Sequence, residues 1–391
     1  MTEKAADPPH GTVTLWTVAL QWGRIGLTGF GGPPAHLALF RRLCVEEHDW
    51  LSSNEYEDAI ASANLLPGPA STQVAIYCAW RVRGVLGGVV GGLCFTLPGL
   101  VAILALATVF LAKHPPVLVL GAAAGAGAAV PAVAVAAASK LVPASWARIG
   151  QGPSRQARWI VYAALGGAAA ALLGPYLVLV LLGCGLAEIV VRGRSQPARR
   201  KPGAAAALGV PLAVGGGLAA LAWTAFKVGA LSYGGGFVIV PLMRADAVSV
   251  HHWMTAGQFL TAVALGQITP GPVLQTVAVV GYAAAGTGGA ILASVVAFAP
   301  SFVFVLAGAR HFDAVRRNRQ AQAFLTGAGP ATIGAIAGSA IPLGLSLSHP
   351  WQVAVLIAAA LWLFGAKKGV VSTLVLALIA GAILVALGLP A

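Results

Sequence analysis

Shifted against itself by 203 positions (Gly26 onto Gly229), the chain repeats. Gly31, Gly32, Arg41, His48, Trp50, Pro67, Gly68 and Pro69 then fall on Gly234, Gly235, Arg244, His251, Trp253, Pro270, Gly271 and Pro272. One deletion lowers the shift to 202, after which Gly84, Gly87, Pro98, Gly125 and Gly127 fall on Gly286, Gly289, Pro300, Gly327 and Gly329. Ala and Val coincide by chance in an apolar chain. Two P-G-P tripeptides, a Trp and a run of later Gly and Pro in one register do not. The matched stretches, about 21–135 and about 224–337, make this an internal duplication, and any fold must be built twice from one plan.

Composition decides the solvent of that fold. Lys and Arg number 24 and Asp and Glu 11, so 9% of the 391 residues are charged, against about 25% in a soluble domain. Mean hydropathy is +0.84. The 50 Gly and 24 Pro therefore mark closely packed membrane helices rather than disorder. The net charge of +13 does not argue for nucleic acid, because the basic residues sit in short gaps between apolar stretches, as in cytoplasmic loops. The first eleven residues are polar with no early apolar core, so no cleavable secretory leader is expected. Cys44, Cys78, Cys94 and Cys184 form no C-x-x-C pair and the eight His are scattered. No metal site and no cofactor is expected.

The expected fold class is an all-α polytopic membrane protein, with two homologous halves as inverted repeats containing broken or re-entrant helices. Apolar stretches of spanning length, about 20 residues, cover roughly 12–30, 84–112, 117–142, 204–231, 320–343 and 370–389. Residues 159–191 read as a helical hairpin turning at Gly174-Pro175, and 350–365 as a shorter span. Stretches 56–80 and 256–283 are interrupted by L-P-G-P and T-P-G-P, and a Pro that removes a backbone donor is tolerated at membrane depth where the freed backbone lines a cavity. The division is 12–191 for the first repeat, 192–203 for a basic cytoplasmic linker and 204–391 for the second repeat. Loop charge predicts inversion. The loop after the first P-G-P carries Arg81 and Arg83 while its counterpart near 284–287 carries none; the loop at Lys113 holds one basic residue while its counterpart holds Arg310, Arg316, Arg317 and Arg319. Opposite bias at matched positions is the pattern of secondary transporters with inverted repeats.

Two motif pairs carry the chemistry. Gly29-Phe30-Gly31-Gly32-Pro33-Pro34 is matched by Ser232-Tyr233-Gly234-Gly235-Gly236. Pro67-Gly68-Pro69, followed by Thr72 and Gln73, is matched by Pro270-Gly271-Pro272, followed by Gln275 and Thr276. A helix starting just after P-G-P would aim free N–H groups and the positive end of its dipole at the break. Two such starts near the bilayer midplane make an anion cradle; the competing reading is that these glycines only let helices cross closely. Arg24 and Lys227 share one repeat position, seven residues before Gly31 and Gly234, and so lie on the substrate path or snorkel to the interface. Lys140 and Glu188 read as snorkelling residues, and the acidic run from Glu46 to Asp58, with Asp246 as its lone acidic counterpart in the second half, as a solvated face.

The runs Phe30-Gly31-Gly32-Pro33 with His36, Trp50-Leu51-Ser52, L-L-P-G-P-A-S-T-Q, G-G-G-F-V-I-V-P-L, Trp253, G-Q-I-T-P-G-P, Gly281-Tyr282 and Ala299-Pro300-Ser301-Phe302 resemble the chromate ion transporter family, in its long two-half form. The usual Gly before the basic loop is replaced here at Cys78-Ala79-Trp80. The resemblance implies a non-enzymatic carrier that exports chromate, confers chromate resistance and resides in the plasma (inner) membrane, with both Gly-Gly and both P-G-P motifs on its path. The partners are then chromate and the lipid bilayer, with sulfate and a homodimer left open. Sulfate or another tetrahedral oxyanion suits the same donors. A membrane-embedded lipid phosphatase is the enzymatic alternative, but Ser71, Thr72 and Gln73 have no carboxylate beside them in the motifs.

Overall fold

The computed structural model describes residues 13–63, 66, 68–112, 114–150, 152–194, 217–232, 239–308 and 318–390. Pro67, Lys113, Gly234, Gly235, Arg310, Arg316, Arg317 and all but the first three residues of the 192–203 segment lie outside them. Every regular element among the described residues is helical. In the first half these are α1 (Leu15–Thr28), α2 (Pro33–Arg41), α3 (Ser53–Ala63), α4 (Ala70–Phe110), α5 (Val117–Ile149), α6 (Pro153–Leu172) and α7 (Leu177–Arg194). The second half supplies α8 (Leu218–Leu231), α9 (Ile239–Arg244), α10 (Ala256–Ile268), α11 (Thr276–Gly308), α12 (Arg319–Gly344), α13 (Pro350–Ala360) and α14 (Val370–Ala386). Among the described residues four helices, in α4, α5, α11 and α12, are long and apolar enough to cross a membrane. Leu20, Val101, Leu165, Leu179, Val295, Ile357 and Ile379 are among the large apolar side chains on the outside, a surface that suits lipid and not water.

The duplication reappears in local geometry. α2 runs into a π-helical turn at Arg42–Glu47, and α9 into one at Ala245–Val250. Asp49 and His252, equivalent under the 203 shift, both adopt positive φ, 49° and 52°. Each is flanked by a stacked His–Trp pair: His48 on Trp50 with centroids 4.4 Å apart, and His251 on Trp253 at 4.6 Å. The long helices α4 and α11 are folded back on themselves at Gly84 (φ 63°, ψ −159°) and Gly286 (φ 62°, ψ −155°), where a side chain would be strained in the left-handed region. Across the first turn Gly88 faces Trp80 and Gly92 faces Ile76; across the second Gly281 faces Gly289 and Ala293. Each helix is thus a short limb ending at its P-G-P and a longer limb that can span.

α3 and the short limb of α4 form a hairpin whose two outer ends are joined by an ion pair from Arg81 to Glu55. Its tip is the P-G-P segment. The loop before it is water-exposed, as expected: Arg42 pairs with Glu47 at 2.8 Å, and Glu46, Asp49, Glu57 and Asp58 are exposed. Glu188 does not snorkel. It is buried and accepts from Arg158 Nε at 3.0 Å, Arg192 Nε at 2.8 Å and the Tyr162 hydroxyl at 3.2 Å, because α12 covers it, with Gly327 seated on Glu188 Cβ. Lys140 is exposed.

The halves exchange their ends. The α6–α7 hairpin packs on α12 of the second half, while α13 and α14 pack on α5 of the first. Backbone meets backbone at these crossings: Gly166 lies on the Ala331 carbonyl, Gly334 on that of Ala163, and Gly125 on that of Ala377. Such approaches maximise dispersion contact where no hydrophobic effect operates between helices. Gly334→Ala or Gly166→Ala should force these helices apart and cost about 3 kcal/mol or more, read as a fall in Tm and in the monodisperse fraction in detergent. Gly183→Ala, with nothing within 4 Å of its added methyl, should change neither.

Candidate functional site

The first Gly-rich break is where α1 stops and α2 starts. Gly31 and Gly32 have φ of 100° and 75°, and Pro33 opens α2 with its fixed φ. Just before them, the Gly29 carbonyl accepts two hydrogen bonds. One comes from His36 Nε2 at 2.8 Å, the other from the Gly271 N–H at 3.0 Å. A carbonyl only accepts, so Nε2 carries the ring proton. His36 Nδ1 is then buried without a partner among the described residues, while Phe95 meets the ring edge-on at 5.1 Å. A Cβ at Gly32 would meet Val273 Cγ2 at 3.9 Å. The first Gly-rich break of one half therefore sits on the P-G-P break of the other.

At the first P-G-P, Gly68 has φ 122°, and a Cβ there would lie 2.5 Å from Gln73 Nε2 and 2.7 Å from Ser301 Oγ. α4 begins immediately afterwards with Pro69 as N-cap and no side-chain cap. Thr72 and Gln73 N–H groups bond the Pro69 carbonyl at 3.0 and 3.1 Å. Ser71, Thr72 and Gln73 are all buried. At the second P-G-P, α10 ends in Thr269, whose hydroxyl bonds Leu265 O at 2.9 Å, and the chain turns at Gly271 with φ 94°. The Pro270 carbonyl and the Gln275 amide press on Gly99 of α4, and Gln275 Nε2 donates to Thr96 O at 2.5 Å. Gly99 and Ser301 are equivalent under the 202 shift. Each P-G-P break thus docks on the spanning limb of the opposite half, one residue after its internal Pro.

The two cations have unlike surroundings. Lys227 Nζ lies 2.6 Å from Asp246 Oδ2, which also accepts from the Thr224 hydroxyl at 2.9 Å. Asp246 is only 4% exposed, so it is no part of a solvated face; the π-turn at Ala245–Val250 rotates it inward onto α8. Its role as a counter-ion was hidden because its repeat equivalent is Leu43. Arg24 is exposed on the stripe of Trp16, Leu20 and Leu27. Ser301 also went unsinglied by spacing alone. Its signal was available, a hydroxyl in place of Gly99 at a matched position. Of the sequence-derived residues, the structure brings Gly32 to the second break, Gly68 to Gln73, and Gln275 to the Gly99 limb; Gly31, Pro69, Thr72, Pro270, Gly271 and Pro272 line the same two breaks. Pro67, Gly234 and Gly235 lie outside the described residues.

The sequence profile described as chromate transporter matches residues 16–189 and again 219–386. The chain belongs to the chromate transporter family. It is 31% identical to a chromate transport protein of Cupriavidus metallidurans over 85% of this chain and 83% of that one. A chromate transport protein of Pseudomonas aeruginosa is also 31% identical, over 88% and 83% of the two chains. A probable chromate transport protein of Synechococcus elongatus is 28% identical over 96% of both. No solved structure matches it significantly. A transporter family, two repeated halves and apolar helices of spanning length make this a membrane protein.

The Lys227–Asp246 pair yields a charge test. Asp246→Asn leaves a largely buried ammonium without its counter-ion and should cost about 3 kcal/mol, measured as a Tm drop in detergent. Lys227→Met in addition should restore most of that loss. No recovery in the double variant would mean that Asp246 is needed for more than balancing Lys227.

Proposed function

We propose that this protein exports chromate from the cytoplasm across the inner membrane and thereby confers chromate resistance, with the interlocked breaks as its path. The observation that carries this reading is the pair of glycine-containing breaks joined by Gly271 N–H and Gly29 O. α3 is 11 residues long, about 16 Å at 1.5 Å per residue, so a hairpin entering from the polar loop places its tip about halfway through a ~30 Å hydrocarbon core. A re-entrant tip at that depth exposes helix-terminal donors to a dehydrated anion without exposing them to lipid.

The reading leans on donors rather than cations, since Lys227 is already paired and Arg24 lies on the outer stripe of α1. The path comprises Gly31, Gly32, Gly68, Pro69, Thr72, Gln73, Pro270, Gly271, Pro272 and Gln275. Its direction follows from membrane energetics. One charge moved through 100 mV is worth about 2.3 kcal/mol, so expelling a dianion from a negative interior gains roughly 4.6 kcal/mol per 100 mV. The relatives named as chromate transport proteins make chromate the substrate to test, with sulfate as competitor.

Everted vesicles with an imposed potential test it directly. Chromate should accumulate in vesicles carrying the wild-type chain, and sulfate in excess should compete if the cradle reads only shape and charge. Gly271→Ala meets nothing closer than 3.5 Å but strains a positive φ by about 1–2 kcal/mol. Abundance should stay near normal while uptake falls at least tenfold. Wild-type vesicles that take up no chromate would sink the proposal.

Inversion of the repeats has its own test. Val85 and Thr287 are exposed and equivalent under the 202 shift. With Cys94 replaced, Val85→Cys should react with an impermeant thiol reagent only from the cytoplasm, and Thr287→Cys only from outside. Labelling of both from one side would show parallel repeats.

A further inference from the structure

The two P-G-P breaks share one plan, but their buried polar groups differ. Around the first break the hydroxyls of Ser71, Thr72 and Ser301 are 1%, 0% and 0% exposed, and none has a partner among the described residues. Ser301 Oγ points at Gly68, beside the uncapped start of α4. Around the second break most donors are consumed, and Gln267 Nε2 alone, three residues before Pro270, is buried without a partner among the described residues. Thr276 Oγ1 bonds Val273 O at 2.9 Å, Thr269 Oγ1 bonds Leu265 O, and the Gln275 amide nitrogen bonds Thr96 O. What Gln275 leaves over is its Oε1, a buried oxygen without a partner. A carbonyl oxygen accepts and does not donate, so it repels an anion.

The difference traces to three matched positions, Ser71 against Leu274, Thr72 against Gln275 and Ser301 against Gly99. Gly99 has no side chain, and the Gln275 amide fills the space where a Cβ would stand. Ser301 occupies that volume itself at the first break and turns its hydroxyl to Gly68. Three unpartnered hydroxyls at an uncapped helix start in a dry interior are a set of donors lacking an acceptor.

We propose that the chain binds one tetrahedral oxyanion dianion, at the first break only, where Ser301 of the second half completes a cradle with Ser71, Thr72 and the start of α4, while Gln275 plugs the mirror position. This assignment rests on the transport reading above. Each half is therefore incomplete alone: the first provides the helix start, and the second provides the closing hydroxyl. The second break keeps the frame of a site without its hydroxyls.

Equilibrium binding of radiolabelled chromate to the purified full chain in lipid nanodiscs tests this, alongside vesicle flux. The wild type should bind one ion per chain. Ser301→Ala and Thr72→Val should each weaken binding roughly ten- to hundredfold, the loss expected for a hydrogen bond to a charged group. Thr72→Ser, which keeps the hydroxyl, should stay within a few-fold. Ser294→Ala is the control, since that hydroxyl on the same helix already bonds Ala290 O at 2.8 Å; its affinity should be unchanged. Two ions per chain, or wild-type affinity in Ser301→Ala, would overturn the unequal-site assignment while leaving transport intact. Should Ser301→Ala fail to fold, equal binding by Thr72→Val and Thr72→Ser overturns it just as well. No saturable binding and no flux in the wild type would overturn the transport reading itself.

Discussion

A single backbone hydrogen bond, from the Gly271 N–H to the Gly29 carbonyl, joins two interruptions that hydrocarbon would otherwise forbid. In a bilayer an open N–H or C=O has no water to turn to and costs several kcal/mol. A break in one helix is therefore tolerable only where protein encloses it. Here each half encloses the other's: α1 hands its freed carbonyl to the second P-G-P, and the spanning limbs of α4 and α11 close over the two tips at Gly99 and Ser301. Gly68, with φ 122°, and Gly99, with the Gln275 amide against its Cα, admit no larger residue in this arrangement.

Charges follow the same economy. Glu188 serves two arginines and a tyrosine, Asp246 a lysine and a threonine, and Glu55 closes the α3–α4 hairpin through Arg81. Every described carboxylate buried among the helices has a cation beside it. That leaves the breaks themselves furnished with neutral donors and His36. Neutral donors hold an ion more loosely than a fixed cation would, which suits the path proposed above, since a path must release what it binds.

Much of this was legible before any coordinates. The 203 and 202 shifts foretold matching folds at Gly84 and Gly286, and they placed the His–Trp pairs at equivalent corners. The P-G-P tripeptides marked helix interruptions because Pro cannot donate. What stayed hidden was partnership. An apolar helix such as α6 carries no directional signal naming α12 as its neighbour, since lipid and protein are equally apolar to a leucine. Asp246 was passed over as the lone acidic counterpart of a solvated run, and only the π-turn swings it beneath α8. The inequality of the two breaks lay in three substitutions, Ser71 against Leu274, Thr72 against Gln275 and Ser301 against Gly99, and the meaning of the last depends on which tip it touches.

The exchange of terminal hairpins has a consequence for how the chain is made. Ala163 of α6 finds its seat on Gly334, which is synthesised about 170 residues later. At ribosomal rates of about 5–20 residues per second, α6 and α7 wait on the order of ten to thirty seconds for their partner. During that interval the flank of Glu188, Tyr162 and Gly166 has no α12 to cover it. The first half is thus an obligatory intermediate of biogenesis, held in the membrane by its own spans but unfinished. Assembly of the whole chain is gated by the arrival of α12.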